Sequence, residues 1–155
     1  MLGGDTAAET MAEDRRILAG VNLDGGINGA IATTGPDRPF LLMGNAGHGR
    51  DNDPSWAEFW SHLRGRRLDL RLRRCGHRTY TDLSPLAQQL EKALPMPPEV
   101  VTALTAAVGT IGAERAVAAE RACLSPAYAP TAPVEPSRVP PAGSAAGTAW
   151  RGRRA

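Results

Sequence analysis

Lysine is almost missing from this chain of 155 residues: Lys92 is the only one, and arginine makes up the rest of its 18 Lys and Arg residues. The formal net charge is only +2, so the balance demands neither a nucleic-acid backbone nor an anionic membrane surface as partner. A GC-rich coding sequence accounts for the arginine bias better than a recognition surface does. Cysteine is scarce too. Cys75 and Cys123 could form one bridge, but two residues make no disulfide framework and leave the redox compartment open. No apolar run is long enough for a membrane span. Gly3, Gly4, Asp5, Glu9, Glu13 and Asp14 are the wrong residues for a secretory signal, so the chain as written reads as cytoplasmic, while a full-length parent could be secreted. The three histidines and the Asp51/Asp53 pair lack metal-ligand spacing, and neither a metal nor a cofactor is expected.

What is present is alternating α and β patterning. Ala7, Ala8, Met11 and Ala12 recur at helical spacing over 4–15. Residues 17–23 form a short apolar run, as in a strand buried on both faces. A glycine-rich loop over 24–38 leads to a second buried strand at Phe40-Leu41-Leu42-Met43, closed by Gly44. Asp53 followed by Pro54 is an N-cap and first-turn signal, and Trp56, Phe59, Trp60 and Leu63 make a core-facing helical stripe. Leu68, Leu70 and Leu72 alternate with charged residues, the pattern of a strand near a sheet edge with one solvated side. Ser84-Pro85 opens a helix whose Leu86, Leu90 and Leu94 are expected to face inward. Val100, Val101, Leu104 and Val108 suggest another helix, and 113–122 one more.

This order predicts an α/β fold with a mostly parallel sheet flanked by helices. Three strands make a poor sheet for such buried sequences, so 1–122 reads as the second half of a larger domain. From 123 to 155 Pro, Ala, Gly, Ser, Thr and Arg dominate, and this stretch is expected to be a disordered tail.

Two stretches carry candidate chemistry. One is Cys75-Gly76-His77-Arg78-Thr79-Tyr80-Thr81-Asp82, which places a histidine after a strand. The other is Gly20-Val21-Asn22-Leu23-Asp24-Gly25-Gly26, where an apolar strand ends in a carboxylate and a glycine turn. A carboxylate and a histidine on two strand-end loops can converge at one edge of a sheet.

Together with Arg38-Pro39-Phe40-Leu41-Leu42-Met43-Gly44 and Asp53-Pro54-Ser55-Trp56, these stretches resemble the C-terminal half of an α/β-hydrolase. The similar group is that of platelet-activating-factor acetylhydrolases and bacterial lipases and esterases, and the likeness covers roughly 2–122. The resemblance implies a serine hydrolase of small ester or lipid substrates, with Asp24 as the acid and His77 as the general base. It also implies Leu2 as a residue whose amide forms half of the oxyanion hole. The serine's place falls on Met1. The resemblance therefore implies a chain truncated at its nucleophile and inactive as written, from a start placed too late or a disrupted gene. A separately encoded N-terminal half could complement it.

Each residue has a plainer reading. Asp24 could be a turn residue, with Asp51 or Asp53 the acid instead, although Asp53 already has work as a cap. His77 could be a loop histidine satisfied by backbone. His48, between Gly47 and Gly49, could line the pocket, but an ordinary exposed loop histidine is the favoured reading. Cys75 stands too near His77 in sequence to face it as a nucleophile. The rival function is a non-catalytic module that pairs through an exposed strand edge. Nucleic-acid binding through Arg64, Arg66, Arg67, Arg71, Arg73, Arg74 and Arg78 is disfavoured by their alternation with leucines.

Overall fold

A computed structural model describes residues 3–124; the tail from 125 onward, and Met1 and Leu2, lie outside the described residues. Three parallel strands, β1 (Gly20–Leu23), β2 (Phe40–Gly44) and β3 (Arg67–Arg71), form one sheet in that order, so β3 is an edge strand. Gly20 stands beside Phe40, and Phe40 beside Arg67. Helices α1 (Gly3–Glu13), α2 (Ile31–Thr34) and α3 (Pro54–His62) connect and cover the strands. A 3-10 turn, His77–Tyr80, then leads into α4 (Leu83–Ala93), α5 (Pro98–Val108) and α6 (Ala113–Leu124).

The first core lies between one sheet face and α1, α2 and α3. Phe40 and Leu42 project into it, against Ala8 and Met11 of α1, Ile31 of α2, and Trp56, Phe59 and Leu63 around α3. Phe40 and Phe59 meet edge to face, with ring centroids 5.0 Å apart. Helix α1 can lie this close because of Gly4, where a Cβ would overlap the buried Asn22 side chain.

Helix α3 begins where the cap signal puts it: the Asp53 carboxylate accepts the Ser55 amide at 2.8 Å and Pro54 follows. The first strand starts later than its apolar run. Ile17 turns back on Asp14 through its amide, and the Arg38 guanidinium binds the carbonyls of Met11, Asp14 and Ile17. Those carbonyls are thereby withdrawn from any sheet ladder, and Leu18 is left 65% exposed. The long loop after β1 also contains a single helical turn, α2.

The expectation that Leu86, Leu90 and Leu94 face inward is overturned. They are 51%, 45% and 57% exposed, and α4 buries Ser84 and Ala87 instead. A helical apolar stripe reports an apolar face, and among the described residues nothing covers this one. Small residues on the opposite face bring α4 close to the 3-10 turn and to α6. Cys75 and Cys123 are both free thiols. No helix among the described residues is long and apolar enough to cross a membrane.

Candidate active site at the carboxyl end of the sheet

In a parallel sheet every strand delivers the residue after it to the same edge. Asp24 follows β1, Asn45 and His48 follow β2, and His77 follows β3 and a short link. The chain thus brings together side chains that are far apart in sequence.

Asp24 is held by its surroundings. Its amide still donates to Met43 of β2 at 2.9 Å, while its backbone turns left-handed at φ 61°. That conformation is rare for a residue with a side chain. It is kept by the next residue: Gly25 exchanges two 2.7 Å hydrogen bonds with the buried Asn22 side chain, and its carbonyl also accepts the Trp56 indole N–H at 2.6 Å. The Asn22-x-Asp24-Gly25 spacing is therefore a built turn, with the carboxylate aimed away from the strand.

The Asp24 side chain is buried and takes four hydrogen bonds. Oδ1 accepts the Asn45 amide at 2.7 Å and faces His48 Nδ1 at 2.7 Å. Oδ2 accepts the Asn45 side-chain amide at 2.7 Å and faces His77 Nδ1 at 2.6 Å. Burial alone would push this carboxyl up; the bonds from the Asn45 backbone, His77, the Asn45 side chain and His48 outweigh it and hold the pKa below the usual value.

His77 opens the 3-10 turn, which is pinned from below. The Gly76 amide donates to Thr79 Oγ1 at 3.0 Å, and the buried Thr79 hydroxyl donates to the Val108 carbonyl at 2.6 Å. Gly76 is required here, since a Cβ would run into the Ala107 carbonyl. With Nδ1 spent on Asp24, Nε2 is the free nitrogen, on a side chain that is 39% exposed. A buried carboxylate, an imidazole fixed in one tautomer and a reachable second nitrogen form an arrangement able to take and return a proton.

Asp51 and Asp53 do not compete for His77. Asp51 pairs with Arg71, and Asp53 caps α3 and faces His48 Nε2 at 2.7 Å. His48 itself is not the exposed loop histidine that its flanking glycines suggest. It bridges two carboxylates and packs on Trp56, with ring centroids 4.3 Å apart. Asn45 went unnoticed in the sequence; its only signal was a polar residue directly after a buried strand. Cys75 is buried, and that burial pushes its thiol up, away from the thiolate. Several arginines of the suspected basic patch bind local carbonyls: Arg64 those of Thr34 and Gly35, Arg67 those of Trp60 and Leu63, Arg74 that of Thr110. Among the described residues no cluster of three or more His, Cys, Asp or Glu could hold a metal ion. The expected oxyanion-hole residue, Leu2, lies outside the described residues.

This chain is similar in fold and in sequence to part of a solved ferulic acid esterase from Streptomyces cinnamoneus. It shares 32% identity and a TM-score of 0.61 over 78% of this chain and 35% of its own. The small parallel sheet flanked by helices matches part of that esterase's fold. The esterase likeness extends to a fungal protein described as a probable 1-alkyl-2-acetylglycerophosphocholine esterase, from Arthroderma benhamiae. The identity there is 33% over 90 residues, 52% of this chain and 23% of that protein. The chain thus spans about a quarter to a third of the length of these esterases. No family model matches it.

Proposed function

We propose that residues 3–124 carry the acid–base half of a serine ester hydrolase, with His77 as general base and Asp24 as its orienting acid. The observation that supports this most is the 2.6 Å contact between His77 Nδ1 and Asp24 Oδ2, which leaves Nε2 available to a hydroxyl. A serine hydroxyl is a weak nucleophile at neutral pH. His77 Nε2 would take its proton as the oxygen attacks the ester carbonyl, and then return that proton to the leaving alkoxide. Asp24 would stabilise the imidazolium formed between these steps. The Leu2 amide would donate to the oxyanion. A water molecule, activated by the same imidazole, would release the acid from the acyl-enzyme.

The reading needs a serine beyond the described residues. Met1 stands at the place that the resemblance gives to the nucleophile, and a thioether has no proton to give. Residues 3–124 would thus supply the base and its acid, and the nucleophile would come from elsewhere. Small carboxylic esters are the proposed substrates, in keeping with the two esterases that it resembles. A second reading is favoured by one observation: among the described residues, β1 pairs on one side only. That free edge would suit a partner strand, including one from a separately encoded complementing half.

The test compares two chains on a chromogenic aryl ester. The chain as written should show no rate above buffer. A version in which a strand and a Gly-x-Ser elbow precede Leu2 should hydrolyse the ester. Hydrolysis by the unextended chain, or an extended, folded chain that remains inert, would contradict the reading.

A further inference from the structure

His48 makes two contacts that one neutral imidazole cannot satisfy. Its Nδ1 lies 2.7 Å from Asp24 Oδ1 and its Nε2 lies 2.7 Å from Asp53 Oδ2. Ionised carboxylates only accept hydrogen bonds, and a neutral imidazole has a single N–H. A neutral His48 would therefore set a nitrogen lone pair against a carboxylate oxygen. Moving the proton to a carboxylate instead is disfavoured at both ends. Asp24 already accepts from Asn45 twice and from His77, and Asp53 Oδ1 accepts the Ser55 amide at 2.8 Å.

We propose that His48 is an imidazolium clamped between Asp24 and Asp53, and that this cation is a positioning residue that holds Asp24 in register for His77. The proposal rests on the esterase reading only for its catalytic consequence; the charge state itself stands on the geometry. The side chain is 20% exposed, so both ion pairs are partly shielded from water. The Trp56 ring lies beside the imidazole, tilted by 45° with centroids 4.3 Å apart, and its π-system suits a cation.

The groups around His48 come from every neighbouring element. Asp24 approaches from the end of β1, and Asp53 and Trp56 from the start of α3. His77 lies across Asp24, and Arg71 of β3 reaches Gly49 and Asp51. Burial opposes the charge on His48, and the hydrogen bonds to Asp53 and Asp24 outweigh it, raising its pKa above the ordinary value. The consequence for the site is mechanical. With one oxygen held by His48 and each oxygen held by Asn45, Asp24 cannot rotate about its last bond. Its second oxygen stays on the line to His77 Nδ1.

The experiment is nitrogen-15 NMR of the histidines in the full 155-residue chain, which needs no ester hydrolysis. At neutral pH both His48 nitrogens should carry protons. Asp53→Asn keeps a good helix cap and removes one carboxylate, and should lower the His48 titration midpoint by about a unit. The short bond to Asp24 should give His77 a downfield Nδ1–H signal; in His48→Gln that signal should broaden or exchange faster with water, while a merely structural His48 would leave it sharp in any folded variant. A His48 with one protonated nitrogen at neutral pH would overturn the proposal. So would a midpoint unmoved by Asp53→Asn. An inert extended enzyme whose His48 is doubly protonated would instead count against the esterase reading alone.

Discussion

His77 and Asp24 lie 53 residues apart in sequence, yet their side chains meet at 2.6 Å between Nδ1 and Oδ2. The sheet makes this contact, because Asp24 and His77 leave parallel strands at the same end. Four donors converge on the Asp24 carboxylate: the Asn45 amide and side chain, His48 and His77. Asp24→Ala would leave all four without their acceptor in a largely buried place. It should destabilise the chain by about 3 kcal/mol, read as a lower urea midpoint. A loss below about 1 kcal/mol would mean that the carboxylate does not organise the three loops.

The pH dependence of stability has two limbs. Asp24 and Asp53 are both held below the ordinary carboxylate value: burial opposes their ionisation, but the donors described above, with Ser55 on Asp53, prevail. Their contribution is complete above the unfolded-state value near ~3.9 and is lost as pH falls through the lower folded values. His48 is raised, despite its burial, by Asp53 and Asp24. Its contribution is complete below ~6.5 and is lost as pH rises through the raised folded value. Urea midpoints measured across pH should therefore peak between ~4 and ~6.5, and His48→Gln should flatten the alkaline limb and also shrink the acid one, because His48 is among the donors that hold Asp24 and Asp53 low.

Gly4 sets the distance from α1 to the sheet. A Cβ at this position would overlap the buried Asn22 side chain, which in turn fixes Gly25. Gly4→Ala should cost about 1–3 kcal/mol through displaced packing, although alanine is the better helix former. A thermal melt measures it. Stabilisation by this substitution would show that α1 has room to move.

The leucine stripe on α4 is open in the described structure, with Leu90 at 45% exposure. Leu90→Glu should change the stability of the chain by no more than about 0.5 kcal/mol, as at other surface positions. It should also lower any tendency to self-associate, read by light scattering. A large loss of stability would place that face in a core.

Legibility in the sequence followed how local each cause was. Helix α3 could be read almost to the residue because its cap, its proline and its apolar stripe all lie within one segment, from Asp53 to Leu63. The start of β1 could not, because Arg38, more than twenty residues downstream, captures the carbonyls of Ile17 and Asp14. The α4 leucines show the limit of periodicity, which marks an apolar face without naming what covers it. At the site, the strand-end placement of Asp24 and His77 was visible, and the structure brings them into contact. His48 was misread because its neighbours are glycines, while the partners that give it a charge, Asp24 and Asp53, belong to a strand end and a helix cap.

We propose that His77, aimed by Asp24, is the base of an ester hydrolase. The most direct test of this is the turnover of an aryl ester by the chain joined to a Gly-x-Ser elbow ahead of Leu2, with His77→Ala measured alongside. The account predicts that His77→Ala lowers kcat on the order of 10⁴-fold or more while the variant stays folded. Hydrolysis at an undiminished rate in His77→Ala would contradict it.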